Sequence, residues 1–113
     1  MPTTKTLPQV HEVALGAERI IPVDYTRDLG GATISSATAV EQTTSTLGIT
    51  GTEPNDATYV SKETNNTVAI NNAVWFRVIP TLAGTYSVLV TATTNSTNPG
   101  REVLPYLITI VVA

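Results

Sequence analysis

The stretch Thr81-Leu82-Ala83-Gly84-Thr85-Tyr86-Ser87-Val88-Leu89-Val90-Thr91-Ala92-Thr93-Thr94 decides the fold. Tyr86, Val88, Val90 and Ala92 fall on one face; Ser87, Leu89, Thr91 and Thr93 fall on the other. That is the period of two of a strand with one apolar face. The Gly84-x-Tyr86-x-Val88 spacing at its start matches a tyrosine corner, in which a phenol at the start of a sandwich strand bonds back to the backbone upstream.

Working outward, Asn95 to Arg101 is a polar loop containing Pro99-Gly100. Leu104, Tyr106, Ile108, Ile110 and Val112 then line one face of a final strand, while Leu107 and Val111 predict partial cover on the opposite face. Upstream, Ala73 to Ile79, Thr67 to Ile70 and Thr58 to Ser61 read as strands separated by Asn71-Asn72 and Asn65-Asn66 turns. Leu47-Gly48-Ile49 is a short apolar patch, and Gly51 to Asp56 is a loop by composition. Ala32 to Val40 reads as a strand near an edge, with Ile34, Ser36 and Thr38 on one face. Asp24 to Gly31 reads as a turn with one helical turn inside it. Val10, Val13, Leu15 and Ile20-Ile21-Pro22-Val23 form a first strand pair or one interrupted strand, and Pro22 places its second half at a sheet edge.

About seven short strands with regular turn signals predict an all-β, Ig-like two-sheet antiparallel sandwich. Its expected core is Val74, Trp75, Phe76, Val78, Tyr86, Val88, Val90, Tyr106, Ile108 and Ile110. Alternation lets only some of residues 74–76 face inward, and Trp75 is favoured as the larger group. Residues 18–113 are the expected domain. Residues 1–17 are expected to form an extended arm, stiffened by Pro2 and Pro8, whose Leu7, Val10 and Val13 anchor it on a partner. The competing reading makes Val10 to Leu15 the first strand of the sandwich.

Composition agrees. Thr, Val and Ile contribute 42 of 113 residues, side chains that are stiff at χ1 and pack well on a pleated surface. Charged residues make up 13% of the chain and the formal net charge is −3. No basic field exists to hold a phosphate backbone, so nucleic-acid binding is not expected. With no cysteine, thiolate chemistry and disulfides are excluded. The opening Met1-Pro2-Thr3-Thr4-Lys5 is not followed by the apolar stretch of a signal peptide, and no apolar run has the length of a membrane span. Lys occurs only at Lys5 and Lys62. Sheet edges so thinly defended by charge predict burial against neighbouring subunits.

Few residues offer chemistry. His11 is the only histidine, too few for an ordinary zinc site, and it reads as a partly exposed surface residue. Asp24 and Asp28 are four apart, a spacing that suits either a carboxylate pair or the capping of a short turn, and capping is favoured. Glu53 to Asp56 carries oxygen ligands without the alternation of a calcium loop. Asn65-Asn66-Thr67 and Asn95-Ser96-Thr97 match the glycosylation pattern by chance in so Thr- and Asn-rich a chain. No catalytic residue, cofactor or metal is expected.

From Ile21 onward the chain resembles the small β-sandwich structural proteins of tailed-phage virions, in particular the phage fiber-tail adaptor type. Four blocks carry the resemblance: Asp24-Tyr25-Thr26-Arg27-Asp28-Leu29, Gly31-Ala32-Thr33-Ile34-Ser35-Ser36, Val74-Trp75 and Thr81-Leu82-Ala83-Gly84-Thr85-Tyr86. Gly100-Arg101-Glu102 then leads into the last strand, as in that type. Two features depart from it: Tyr25 stands where Trp is common, and the segment from Gln42 to Asn66 is long. The resemblance implies a non-enzymatic virion protein joining tail or neck to fibers, in contact with other virion proteins and with further copies of itself. Alternatives are a capsid decoration protein and a stand-alone Ig-like cell- or carbohydrate-binding module. The latter needs exposed aromatics, and at least three of Tyr25, Tyr59, Trp75, Tyr86 and Tyr106 read as core.

Overall fold

A computed structural model describes residues 4–42 and 46–113. The chain is all-β with one helical turn. The strands are β1 (Lys5–Val13), β2 (Arg19–Asp24), β3 (Ile34–Glu41), β4 (Thr50–Pro54), β5 (Tyr59–Val60), β6 (Thr67–Val68), β7 (Ala73–Val78), β8 (Gly84–Thr94) and β9 (Val103–Val112), with α1 (Thr26–Leu29) between β2 and β3. They form a four-stranded sheet in the order β1-β9-β8-β3, a three-stranded sheet in the order β2-β7-β4, and a β5-β6 ribbon. Strands 2, 4 and 7 against 3, 8 and 9 reproduce the two sheets of an immunoglobulin-type sandwich. All pairings are antiparallel except the first: β1 runs parallel to β9, where the sequence reading expected antiparallel pairs throughout.

The inward faces of both sheets meet in one core. Ile21 and Val23 of β2 pair with Phe76 and Val74 of β7, and these pack with Val88, Val90, Ile108 and Ile110 from the opposite sheet. The β8 and β9 faces are those expected from the alternation. The tyrosine corner is present, with Tyr86 Oη donating to the Leu82 carbonyl at 2.6 Å. Pro22 lies on β2, an edge strand. Asn65 and Asn71 occupy left-handed turn positions at φ 60° and 63°, which asparagine tolerates better than most residues.

Four expectations need correction. Trp75 faces outward, while Val74 and Phe76 are buried. Val74, Phe76 and Val78 share one face, so an inward Trp75 would have turned three apolar side chains to solvent. The faces of β3 also differ. A register shift between Ile34 and Ser36 inserts a bulge, after which Ala37 and Ala39 pack inward and Thr38 faces out. Residues 5–13 do not stand off the domain. They pair with the chain's own β9, because Val13 reaches the core at 4% exposure and an open β9 edge offers unpaired backbone groups. His11 is buried on the same strand, not surface-exposed.

Residues outside the expected strands also enter the core. Tyr25, Leu29 and Leu47 are fully or almost fully buried. Leu47 is followed by Gly48 at φ +63°, where an added Cβ would stand 2.8 Å from the Ile79 carbonyl oxygen. Only glycine fits that close approach without strain.

Candidate docking surfaces

The Asp24-to-Leu29 block ties three parts of the fold together. Asp24 Oδ1 accepts from the Thr26 backbone N–H at 2.9 Å and from the Thr26 hydroxyl at 2.6 Å, which shapes the entry to α1. Tyr25 swings under the turn and its hydroxyl donates to the Val90 carbonyl at 2.7 Å. Its ring stacks on Tyr106 with centroids 4.0 Å apart and planes 17° apart. Tyr106 Oη donates to Asp28 Oδ2, and Lys5 Nζ of β1 reaches the same oxygen at 3.2 Å. Asp24 and Asp28 thus serve separate partners and form no acid–base pair.

Electrostatics follow from that geometry. Burial alone would raise the Asp28 carboxyl. The Tyr106 and Lys5 hydrogen bonds, with the Lys5 and Arg27 charges, outweigh it and hold Asp28 below its ordinary value. The Tyr106 phenol is pushed up, first by burial and then by its bond to Asp28. Tyr25 is pushed up by burial and then by Tyr106. Both phenols therefore stay protonated and act as donors at neutral pH. Lys5 is exposed and Asp28 partly so, and their ion pair is therefore worth under about 1 kcal/mol.

On one side of the sandwich β3 and β4 approach each other closely. On the opposite side, β1, β2 and the β5-β6 ribbon bound an open groove of about 430 Å³. Val10, Ile20 and Val60 are its apolar rim, each about half exposed or more. His11 lies along it, held neutral below its ordinary pKa first by burial and then by the nearby Arg19. Arg19 in turn donates to the Glu12 carbonyl.

The three arm residues singled out from sequence separate here. Val13 is core, Leu7 packs partly against the core, and Val10 alone is exposed. The loop oxygens at Glu53 to Asp56 also have other work. Asn55 is fully buried; its Nδ2 donates to the Ala57 and Ala69 carbonyls and its Oδ1 accepts from the Ala73 N–H, each at 2.9 Å. This amide fastens the ribbon to β7. Among the described residues no group of three or more His, Cys, Asp or Glu side chains stands together as a metal cage, and no helix is long and apolar enough to cross a membrane.

Sequence reasoning missed an aromatic pair. On the outer face of the three-stranded sheet, Trp75 lies 6.2 Å from Tyr59, ring centre to ring centre, and Trp75 Nε1 donates to Glu53 Oε1 at 3.4 Å. Ile20, Gly51, Phe76 and Arg77 join Glu53 and Trp75 in lining an adjoining depression of about 320 Å³. The Val74-to-Val78 alternation was the available signal, since it turns Trp75 outward.

No family model matches the chain, and no curated protein matches it. Among solved structures it is similar to PbICP-C, solved in complex with falcipain-2, at 13% identity, a TM-score of 0.45 and coverage of 99% of this chain and 91% of that one. It is similar to amebosin, solved in solution, at 9% identity, a TM-score of 0.40 and coverage of 98% and 99%. Overlays this loose carry no functional argument.

Proposed function

We propose that the protein is a non-enzymatic structural component of a tailed-phage virion, joining tail or neck to fibers through protein–protein contacts. The observation that carries this reading is the order of the four sequence blocks shared with the fiber-tail adaptor type, each of which has a structural task in the sandwich. The first is the Tyr25–Tyr106–Asp28 tie, the second runs into the bulged start of β3, the third is the middle of β7, and the fourth is the tyrosine corner. Open edges at β1 and β2, with exposed Val10 and Ile20 and few lysines, suit a subunit that completes itself against neighbours. Immuno-electron microscopy with an antibody to this chain tests the reading on particles from lysates of cells that express it. Labelling at the neck, tail or fiber base is expected. Labelling spread over the capsid makes it a decoration protein, and unlabelled particles overturn the virion role.

One observation favours a second reading, a carbohydrate-binding module. The Trp75–Tyr59 pair beside Glu53 and Arg77 offers aromatic faces and polar groups together. Quenching or shift of the single Trp75 emission on titration with oligosaccharides, with binding heat in calorimetry lost in Trp75→Ala, would establish it.

A further inference from the structure

We infer that the outer face of the four-stranded sheet is a self-association surface that packs against the same face of a second copy of this chain. The register of β3, β8 and β9 aligns Val40, Leu89 and Leu107 in one row across the sheet, and β1 continues it with Thr6. Val10 and Val111 extend the apolar area along the strands. The other outward positions of the four strands carry Ser, Thr, Pro and Val, with one exception, Glu12. No lysine or arginine stands among them. Val10 and Val40 are 50% and 54% exposed, and Leu89, Leu107 and Val111 are part-exposed. The outer face of the other sheet differs: it carries Asp24, Glu53 and Arg77, with Glu18 bonded to Arg77 at 2.7 Å.

Two arguments select a second copy as the occupant. The first is charge. A basic or acidic partner finds one carboxylate to pair with or avoid, whereas an identical face meets this one aliphatic on aliphatic and hydroxyl on hydroxyl. Glu12 lies on β1, the edge strand, so a two-fold contact centred on Leu89 and Leu107 leaves both carboxylates at the rim in water. Such an isologous contact is self-complementary by symmetry. The second argument is area. Four strands about 4.8 Å apart, with about five outward rows roughly 6.7 Å apart, give a face of roughly 600 Å² in projection. With side-chain relief this approaches the ~800 Å² per partner of a standard stable interface. Sheets pack face to face in this way at about 10 Å inside ordinary sandwiches.

Sedimentation of the full chain over a range of concentrations tests the inference. Wild type should form dimers in a concentration-dependent way. Leu107→Lys should weaken the dimer at least ~100-fold while leaving far-ultraviolet circular dichroism unchanged, because the side chain points outward. If that variant fails to fold, the milder double change Leu89→Thr with Leu107→Thr gives the same readout. Ile20→Lys, on the other sheet, should leave the dimer intact. A wild-type chain monomeric up to roughly 1 mM, a dimer indifferent to changes at Leu89 and Leu107, or equal weakening by Ile20→Lys each overturns the inference. The contact is independent of the particle. A chain monomeric in solution yet present in virions removes the self-contact and leaves the virion reading standing.

Discussion

Trp75 and Phe76 are adjacent in sequence and opposite in burial, and the difference should be measurable. Phe76 is 1% exposed among Ile21, Val74 and the facing sheet. Phe76→Ala should cost about 3–5 kcal/mol in urea unfolding, as a buried aromatic cavity does. Trp75→Ala should cost less than about half of that. Equal losses would return Trp75 to the core. His11 supplies a second test at this scale. Its pKa is lowered in the fold by burial, then by Arg19, so the unfolded chain binds the proton more readily. Stability is therefore fully present above the unfolded value of about 6.5 and is lost as pH falls from there toward the folded value. Melting temperature should be flat from pH 8 to 7, then decline toward pH 5. His11→Gln should flatten that decline; a slope unchanged in the variant would place its origin elsewhere.

At the scale of elements, β1 is where the sequence misled. Leu7-Pro8-Gln9 breaks the alternation, and Pro8 sits in the register shift between Thr6 and Val10. The segment therefore reads as an arm, although its second half is an ordinary strand. Deleting residues 1–9 removes the Lys5–Asp28 pair and the Leu7 cover and should lower the melting temperature by a few degrees, about 1 kcal/mol for a domain this size. Deleting residues 1–13 also removes Val13 and opens the β9 edge, and should lower it several-fold more. Indifference to the longer deletion would contradict the β1–β9 pairing. By contrast, β8 and β9 were legible residue by residue, because strict alternation over ten positions has one solution. The β3 bulge was not, because Ser35 and Ser36 give no apolar signal to mark the extra residue. Tyr25 and Leu29 read as turn residues for a related reason. A buried turn residue has no periodicity, and only the tertiary partners Tyr106 and Val90 reveal its role.

For the whole molecule, two packed sheets with open edges at β1 and β2 build the domain. The sequence carried this much through composition: few charges, two lysines and more than a third β-branched residues. It could not place the outward Trp75–Tyr59 pair or the continuous Val40–Leu89–Leu107 row, because both depend on how distant strands register. The virion role is tested most directly by quantitative mass spectrometry of gradient-purified particles. The account predicts that this chain is present at a fixed copy number, in step with the tail or fiber-base proteins and far below the major capsid subunit. Absence from the particles, or a copy number that follows the capsid subunit, would contradict it.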